Sequence, residues 1–210
     1  MTTLSAIRAA NAAFSPSYLP VALFVGGTSG IGHATAEAFA RYTKGDAHII
    51  ICGRNRAAAD SIIASFPKSP KSRYEFVECD ATLMKNVQAT TTSLLSTLPK
   101  LNYLFVTVGF LMLKGRDETS EGIDKKLALN YYARWKFTHD LMPLLRKAKD
   151  AGEDAKVMSV LAAGHGGPID LDDLGLQKGF SLSAAGTAAA TYNDLMIEVR
   201  PWWYLIYNKR

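Results

Sequence analysis

The chain has 210 residues, a mass of 22.8 kDa and 48% apolar residues, enough for one substantial core or two small ones and too many for a largely disordered protein. Its 24 Lys and Arg against 19 Asp and Glu give a net charge of +5, but the bases are scattered, so no basic tail marks a nucleic-acid partner. Cys52 and Cys79 are the two cysteines, with no CxxC and no histidines at ligand spacing, which argues against a disulfide scaffold or a metal site and for a reducing, cytoplasmic compartment. Leu101 to Leu113 is the longest nearly apolar stretch and falls short of the roughly 18 residues that a membrane-spanning helix needs, so no membrane partner is expected. The first 34 residues hold one base, Arg8, and no acid, without the apolar core or small-residue cleavage site of a signal peptide.

In chain order, Leu4 to Phe14 has helical composition and is ended by Ser15-Pro16 and Leu19-Pro20, making residues 1–17 an N-terminal helix and lead-in. Val21 to Val25 reads as the first strand. A glycine turn, Gly26 to Gly32, leads into a helix over His33 to Thr43, with Ile31, Thr35, Ala38, Phe39 and Tyr42 on one face. His48 to Cys52 is a β-branched strand running into Gly53-Arg54-Asn55-Arg56, and Ala57 to Phe66 is a helix closed by Pro67. Tyr74 to Cys79 is the third strand, Asn86 to Leu98 a helix, and Leu101 to Val108 the fourth strand. A long helix is predicted over Thr119 to Ala148, capped by Thr119 or Ser120. Lys156 to Leu161 is the fifth strand, followed by a helix over Ala184 to Glu198 that Pro201 breaks. Strands separated by helices of this length predict an α/β fold in one domain over residues 1–210. It is a Rossmann-like, doubly wound parallel sheet with helices on both faces.

Gly26, Gly30 and Gly32 stand between a buried strand and a helix whose first N–H groups point back at the turn. That arrangement favours an anion, and glycines let the backbone approach a pyrophosphate closely; the alternative is an ordinary tight turn. Gly-Gly-Thr-Ser-Gly-Ile-Gly after the first strand resembles the nucleotide-binding turn of the short-chain dehydrogenase/reductase family, and the resemblance extends over residues 18–198. It implies that Gly26, Thr28, Ser29, Gly30, Ile31 and Gly32 hold a dinucleotide. By the same resemblance Asp80 and Ala81 meet the adenine, and Val108-Gly109 takes the place of the family's Asn-Ala-Gly. Asn130 resembles the family asparagine that kinks the long helix and supports a water chain. At the end of the second strand an acid would bind the ribose 2′-hydroxyl of NAD, whereas an arginine neutralises a 2′-phosphate. Here Arg54 and Asn55 stand with no acid before Asp60, which points to NADP(H); the alternative is that Arg54 and Arg56 are solvated loop bases.

The family's catalytic pattern is incomplete. Its proton donor is a tyrosine whose pKa is lowered by a lysine four residues on, with a serine orienting the substrate. Tyr-x-x-x-Lys is absent, and Ser181 and Ala185 fall where the pair would stand, as Leu161 does for the serine. Ser159, two residues earlier on the same strand face, and Tyr192 remain as catalytic candidates beside Asn130; the alternatives are a buried serine bonded to backbone and a packing tyrosine. His165 lies in the loop after the fifth strand, where substrate groups are placed. Asp170, Asp172 and Asp173 read as a helix cap, and Cys52 and Cys79 as core thiols. Family members continue with two more strands, whereas residues 199–210 form an aromatic-rich, atypical tail that reads as an alternative C-terminus. An uncovered fifth strand with Trp202 and Trp203 predicts a homo-oligomer. The expectation is an NADP(H)-binding oxidoreductase acting on the carbonyl or alcohol of a small-molecule substrate. The alternative is a dinucleotide-binding cyclase, isomerase or pseudoenzyme.

Overall fold

The computed structural model describes residues 3–109 and 113–207, with residues 199–207 as backbone only. Five parallel strands form one sheet in the order β3-β2-β1-β4-β5: β1 (Val21–Val25), β2 (His48–Gly53), β3 (Arg73–Glu78), β4 (Tyr103–Val106) and β5 (Lys156–Ser159). This is the expected doubly wound α/β arrangement. Every residue of β1 is buried, as a central parallel strand covered on both faces requires, and this is why Val-Ala-Leu-Phe-Val shows no polar alternation.

Helices α2 (Gly30–Tyr42) and α3 (Arg56–Ser65) cover one face, packing Ala36, Ala40, Ala59 and Ile62 on Ala22, Phe24, Ile49 and Ile51. Phe24 and Phe105 stack there at 4.7 Å between centroids, with Phe39 edge-on to Phe24. Helices α4 (Met84–Thr97), α6 (Ala133–Asp140) and α7 (Met142–Asp150) cover the other face, with Val87, Leu94, Phe137 and Leu144 on Leu23, Val25 and Ile50. Helix α1 (Leu4–Ala12), capped by Thr3, buries none of its residues.

Three expectations are corrected. The long helix begins later, at α5 (Lys125–Leu127), where Asp124 Oδ1 accepts from Lys126 N and Leu127 N; neither Thr119 nor Ser120 is its cap. Residues 119–123 instead close a turn, with Thr119 N donating to Ile123 O and Gly122 at φ +73°, a conformation no right-handed helix contains. The helix is also not continuous: it widens into a π-helical turn over Ala128–Tyr132 before α6, and α7 starts afresh at Met142, where Pro143 lacks the N–H that continuation needs. Finally, α8 (Leu182–Tyr207) runs on past Pro201.

Strands β4 and β5 are shorter than predicted, and the sheet ends at β5 with Val157 and Met158 exposed. The side chains of Trp202 and Trp203, on which the expected association also drew, lie outside the described residues.

Candidate active-site cleft

Strand β1 lies between β2 and β4, so the chain leaves it to opposite sides. The crevice at the carboxyl ends of these strands is where doubly wound sheets take ligands. A cleft of about 300 Å³ sits there. The glycine turn forms its floor through Gly26, Thr28, Ser29, Gly30 and Ile31. Gly32 lies beneath, where a Cβ would come 2.3 Å from Gly26 O and 2.4 Å from Thr107 Oγ1; Gly26 itself has φ +89°. The turn thus requires glycine at both positions, and the space they leave is the kind of cradle a pyrophosphate fills. Ser29 precedes α2 in extended conformation and makes no side-chain cap, leaving the first N–H groups of that helix to the cleft.

The β2–β3 side of the cleft carries Arg54, Cys79, Asp80 and Ala81. Arg54 is exposed and makes no hydrogen bond or ion pair with another described residue, while Arg56 stacks on Phe76 at 4.8 Å. Asn55, expected beside the cofactor, caps α3 by accepting from Ala58 N at 3.0 Å and does not line the cleft. Asp80 is fixed by Thr82, whose N–H and hydroxyl both donate to Oδ1, at 3.0 and 2.8 Å. Cys52 is wholly buried behind Cys79; its thiol donates to Cys79, and this bond together with burial pushes its pKa up. Both belong to the core, as expected, and Cys79 also reaches the cleft wall.

The opposite wall is Thr107, Val108, Gly109 and Leu129. Thr107 was not singled out by sequence, yet its hydroxyl donates to Val25 O at 3.2 Å and locks the glycine turn against β4. A polar residue ending the apolar run of β4 is the signal that marks it. Asn130 lies within the π turn, so the helix is distorted where the family resemblance implies, and its Oδ1 is 3.5 Å from where a Cβ on Gly109 would lie.

Beyond this wall the polar side chains turn to one another. Ser159 accepts from Arg134 Nη1 at 2.7 Å and donates to Asn193 Oδ1 at 3.2 Å. Asn193 Nδ2 in turn donates to Asn130 O at 2.6 Å. Tyr192 is buried, packs on Tyr131 at 5.0 Å and donates to Leu174 O at 3.0 Å; burial raises its phenol pKa, the reverse of what a lysine neighbour does. Neither Ser159 nor Tyr192 lines the cleft. Ser181 caps α8 by accepting from Ala184 N, and Ala185 is buried. His165 is exposed in its loop.

Asp173 does not cap a helix. Its carboxylate accepts from the N–H groups of Gln177, Lys178 and Gly179, a local nest that holds its pKa below the ordinary carboxylate range, Gly179 contributing most. Arg116 Nη1 donates to Gly175 O and Leu176 O, and Lys126 Nζ donates to Gly115 O while lying over the Phe180 ring, so the segments after β4 and before α8 are tied together.

The sequence model for short chain dehydrogenases matches residues 20–167, and the chain belongs to that family. It is 40% identical over 199 residues to the oxidoreductase AN1596 of Emericella nidulans, covering 94% of this chain and 58% of that protein. It is 29% identical over 174 residues to the polyprenol dehydrogenase of Homo sapiens, covering 82% of this chain and 52% of the human protein. The chain therefore spans little more than half the length of these curated relatives. A short-chain dehydrogenase from Sphingobium yanoikuyae in complex with NADPH shares the fold, with a TM-score of 0.62 at 21% identity over 87% of this chain and 66% of that one. Among the described residues no helix is long and apolar enough to cross a membrane.

Proposed function

We propose that the chain binds NADP(H) and acts as an oxidoreductase on a carbonyl or alcohol group of a small molecule. The observation that carries this reading is the cleft itself. Its glycine floor has no room for a Cβ at Gly32, it opens onto the uncapped start of α2, and at the end of β2 stands Arg54, which pairs with no other described residue.

Bound there, the cofactor would supply a hydride. The N–H groups of the turn and of α2 would hold its pyrophosphate, with no side chain intervening. Arg54 would pair with a 2′-phosphate, where an acidic residue would repel it. Asp80, whose Oδ1 accepts from Thr82, would offer its remaining acceptor capacity to the adenosine end. Gly109, with Asn130 Oδ1 behind it, would stand at the far end, where the substrate would meet the hydride. That a protein of the same fold, the Sphingobium short-chain dehydrogenase, was solved in complex with NADPH supports this choice of cofactor.

A second reading, dinucleotide binding without hydride transfer, is favoured by the hydrogen bonds of Ser159 and Tyr192, both of which are spent on neighbouring protein groups. Calorimetric titration with NADPH and NADH, followed by NADPH oxidation with a panel of carbonyl compounds, separates the two. Micromolar NADPH binding with at least tenfold weaker NADH binding and steady NADPH consumption is the expected result. Binding without consumption establishes the second reading, and absence of binding to either nucleotide overturns both.

A further inference from the structure

We propose that Arg134 is the positioning residue for the substrate-side half of this cleft, acting through a circuit that runs to Ser159, Asn193 and Asn130. The inference rests on the dinucleotide reading above. Arg134 is 1% exposed, the largest of the fully buried side chains, and has no carboxylate partner among the described residues. All its bonds go elsewhere. Nε donates to Leu129 O at 3.1 Å; Nη1 donates to Val106 O at 3.1 Å, Ser159 Oγ at 2.7 Å and Val160 O at 3.0 Å; Nη2 donates to Val108 O at 2.5 Å. Burial lowers its pKa to about 10, so it remains a cation at neutral pH.

Burying a cation without a counter-ion is costly, and an apolar side chain of the same volume would fill the space more cheaply. What an apolar filler lacks is the fork. One planar guanidinium reaches acceptors in three separate segments: the end of β4, the end of β5 and the π turn. Two of those acceptor residues, Val108 and Leu129, line the cleft. The π turn is held from both sides, because Leu129 O takes Arg134 Nε and Asn130 O takes Asn193 Nδ2. Ser159 joins the two arms, receiving from Arg134 and donating to Asn193 on α8. The wall formed by Val108, Gly109 and Leu129 is therefore set by Arg134, while the adenosine side, built from Arg54 and Asp80 at the ends of β2 and β3, does not touch this circuit. With a pyrophosphate on the glycine turn and adenosine over β2 and β3, the nicotinamide half falls on the wall that Arg134 sets.

The test compares NADPH with adenosine 2′,5′-bisphosphate, which carries only the adenosine half, on the intact chain, Arg134→Met and Arg134→Lys. In Arg134→Met the NADPH Kd is expected to rise tenfold or more, and the gain in dihydronicotinamide fluorescence on binding to disappear. The bisphosphate Kd should stay within twofold. Arg134→Lys, with three donors in place of five, should recover part of both signals. If Arg134→Met does not fold, Asn193→Ala cuts the same circuit without touching the buried charge and should show the same split at about threefold. Unchanged NADPH binding and fluorescence in the folded variant overturns the proposal, and so does equal weakening of both ligands, which is the signature of a merely structural role. An intact chain that binds neither ligand removes the dinucleotide reading and this inference with it. An intact chain that binds both, with variants that do not discriminate, removes this inference alone.

Discussion

The two halves of the one sheet treat their polar groups in opposite ways. Around β1 and β2 two groups at the cleft are left without protein partners: the start of α2 has no side-chain cap, and Arg54 has no ion pair among the described residues. Around β4, β5 and α8 the polar side chains close on one another, with Ser159, Asn193 and Arg134 in one circuit and Tyr192 bound to Leu174. On the proposed reading the first half would recognise its ligand chiefly through its backbone, which needs the absence of side chains at Gly26 and Gly32. The second half would need particular side chains in particular states of protonation, and these can be exchanged while the backbone stays. A chain can therefore retain the means to bind a dinucleotide after its proton-donating pair has gone.

The most severe way to break this contrast is Gly32→Ala. Its Cβ would sit 2.3 Å from Gly26 O, a main-chain atom that cannot swing aside. Overpacking of this kind costs about 1–3 kcal/mol of stability, and dinucleotide affinity should fall by about 100-fold, or ~2.7 kcal/mol. Thermal melting and nucleotide titration read the two effects. Retained affinity would mean that the cradle is not the site. Arg54→Ala acts at the same half without disturbing the fold. NADPH binding should weaken about tenfold, in line with loss of a charge-assisted bond, while NADH binding stays within about twofold. Equal weakening of both nucleotides would place Arg54 away from the 2′ position.

A smaller effect is expected where the helices beside the two halves meet. Asp140 on α6 accepts from Thr91 on α4 at 2.9 Å and pairs with Lys136 at 2.9 Å. Burial works to raise its pKa, but the bonds from Lys136, His139 and Thr91 outweigh it and hold the carboxyl below the ordinary value. The folded pKa is thus depressed. The stability it contributes is fully present above the unfolded carboxylate pKa of about 3.9 and is lost as pH falls through the folded value. Asp140→Asn should lower stability at pH 7 by about 1 kcal/mol and flatten the acid limb of a melting-temperature profile. An unchanged acid limb would show that other carboxylates govern it.

Much of the first half was legible in the sequence. A five-residue apolar run, a glycine turn and a β-branched strand are local signals, and Arg54 and Asp80 follow from where strands end. The second half was less so, because its features depend on tertiary partners. Thr119 has the chemistry of a helix cap, but Gly122 diverts the chain into a turn and passes the role to Asp124. The aspartates at 170–173 also have cap chemistry, but Asp173 closes on its own loop and Ser181 opens α8. Arg134 reads as a solvated base on a helix, yet it lies seven residues from both Leu127 and Leu141, each buried, so it occupies the apolar stripe. Asn193 likewise sits on a stripe with Ala189 and Met196. A polar residue on a buried stripe was the available signal, and it names the position without naming the partner.

The smallest expected effect is also the one that bears most directly on the chemistry. Tyr192 is the phenol nearest in sequence to the place where the family's proton donor stands, and two models of it predict different outcomes for Tyr192→Phe. As a packing residue it contributes one hydrogen bond, to Leu174 O at 3.0 Å, and a ring held against Tyr131. Loss of that hydroxyl should cost about 0.5 kcal/mol in melting experiments and leave both NADPH affinity and any turnover unchanged. As an acid it would need its pKa brought down toward neutrality, but burial and the neighbouring tyrosines raise it, so no step in the pH dependence of turnover near neutrality should belong to it. A tenfold fall in turnover with stability and affinity intact would return Tyr192 to the reaction and end the contrast between the two halves. An unaffected variant leaves the cleft as a dinucleotide site whose proton must come from a group outside the family's tyrosine and lysine.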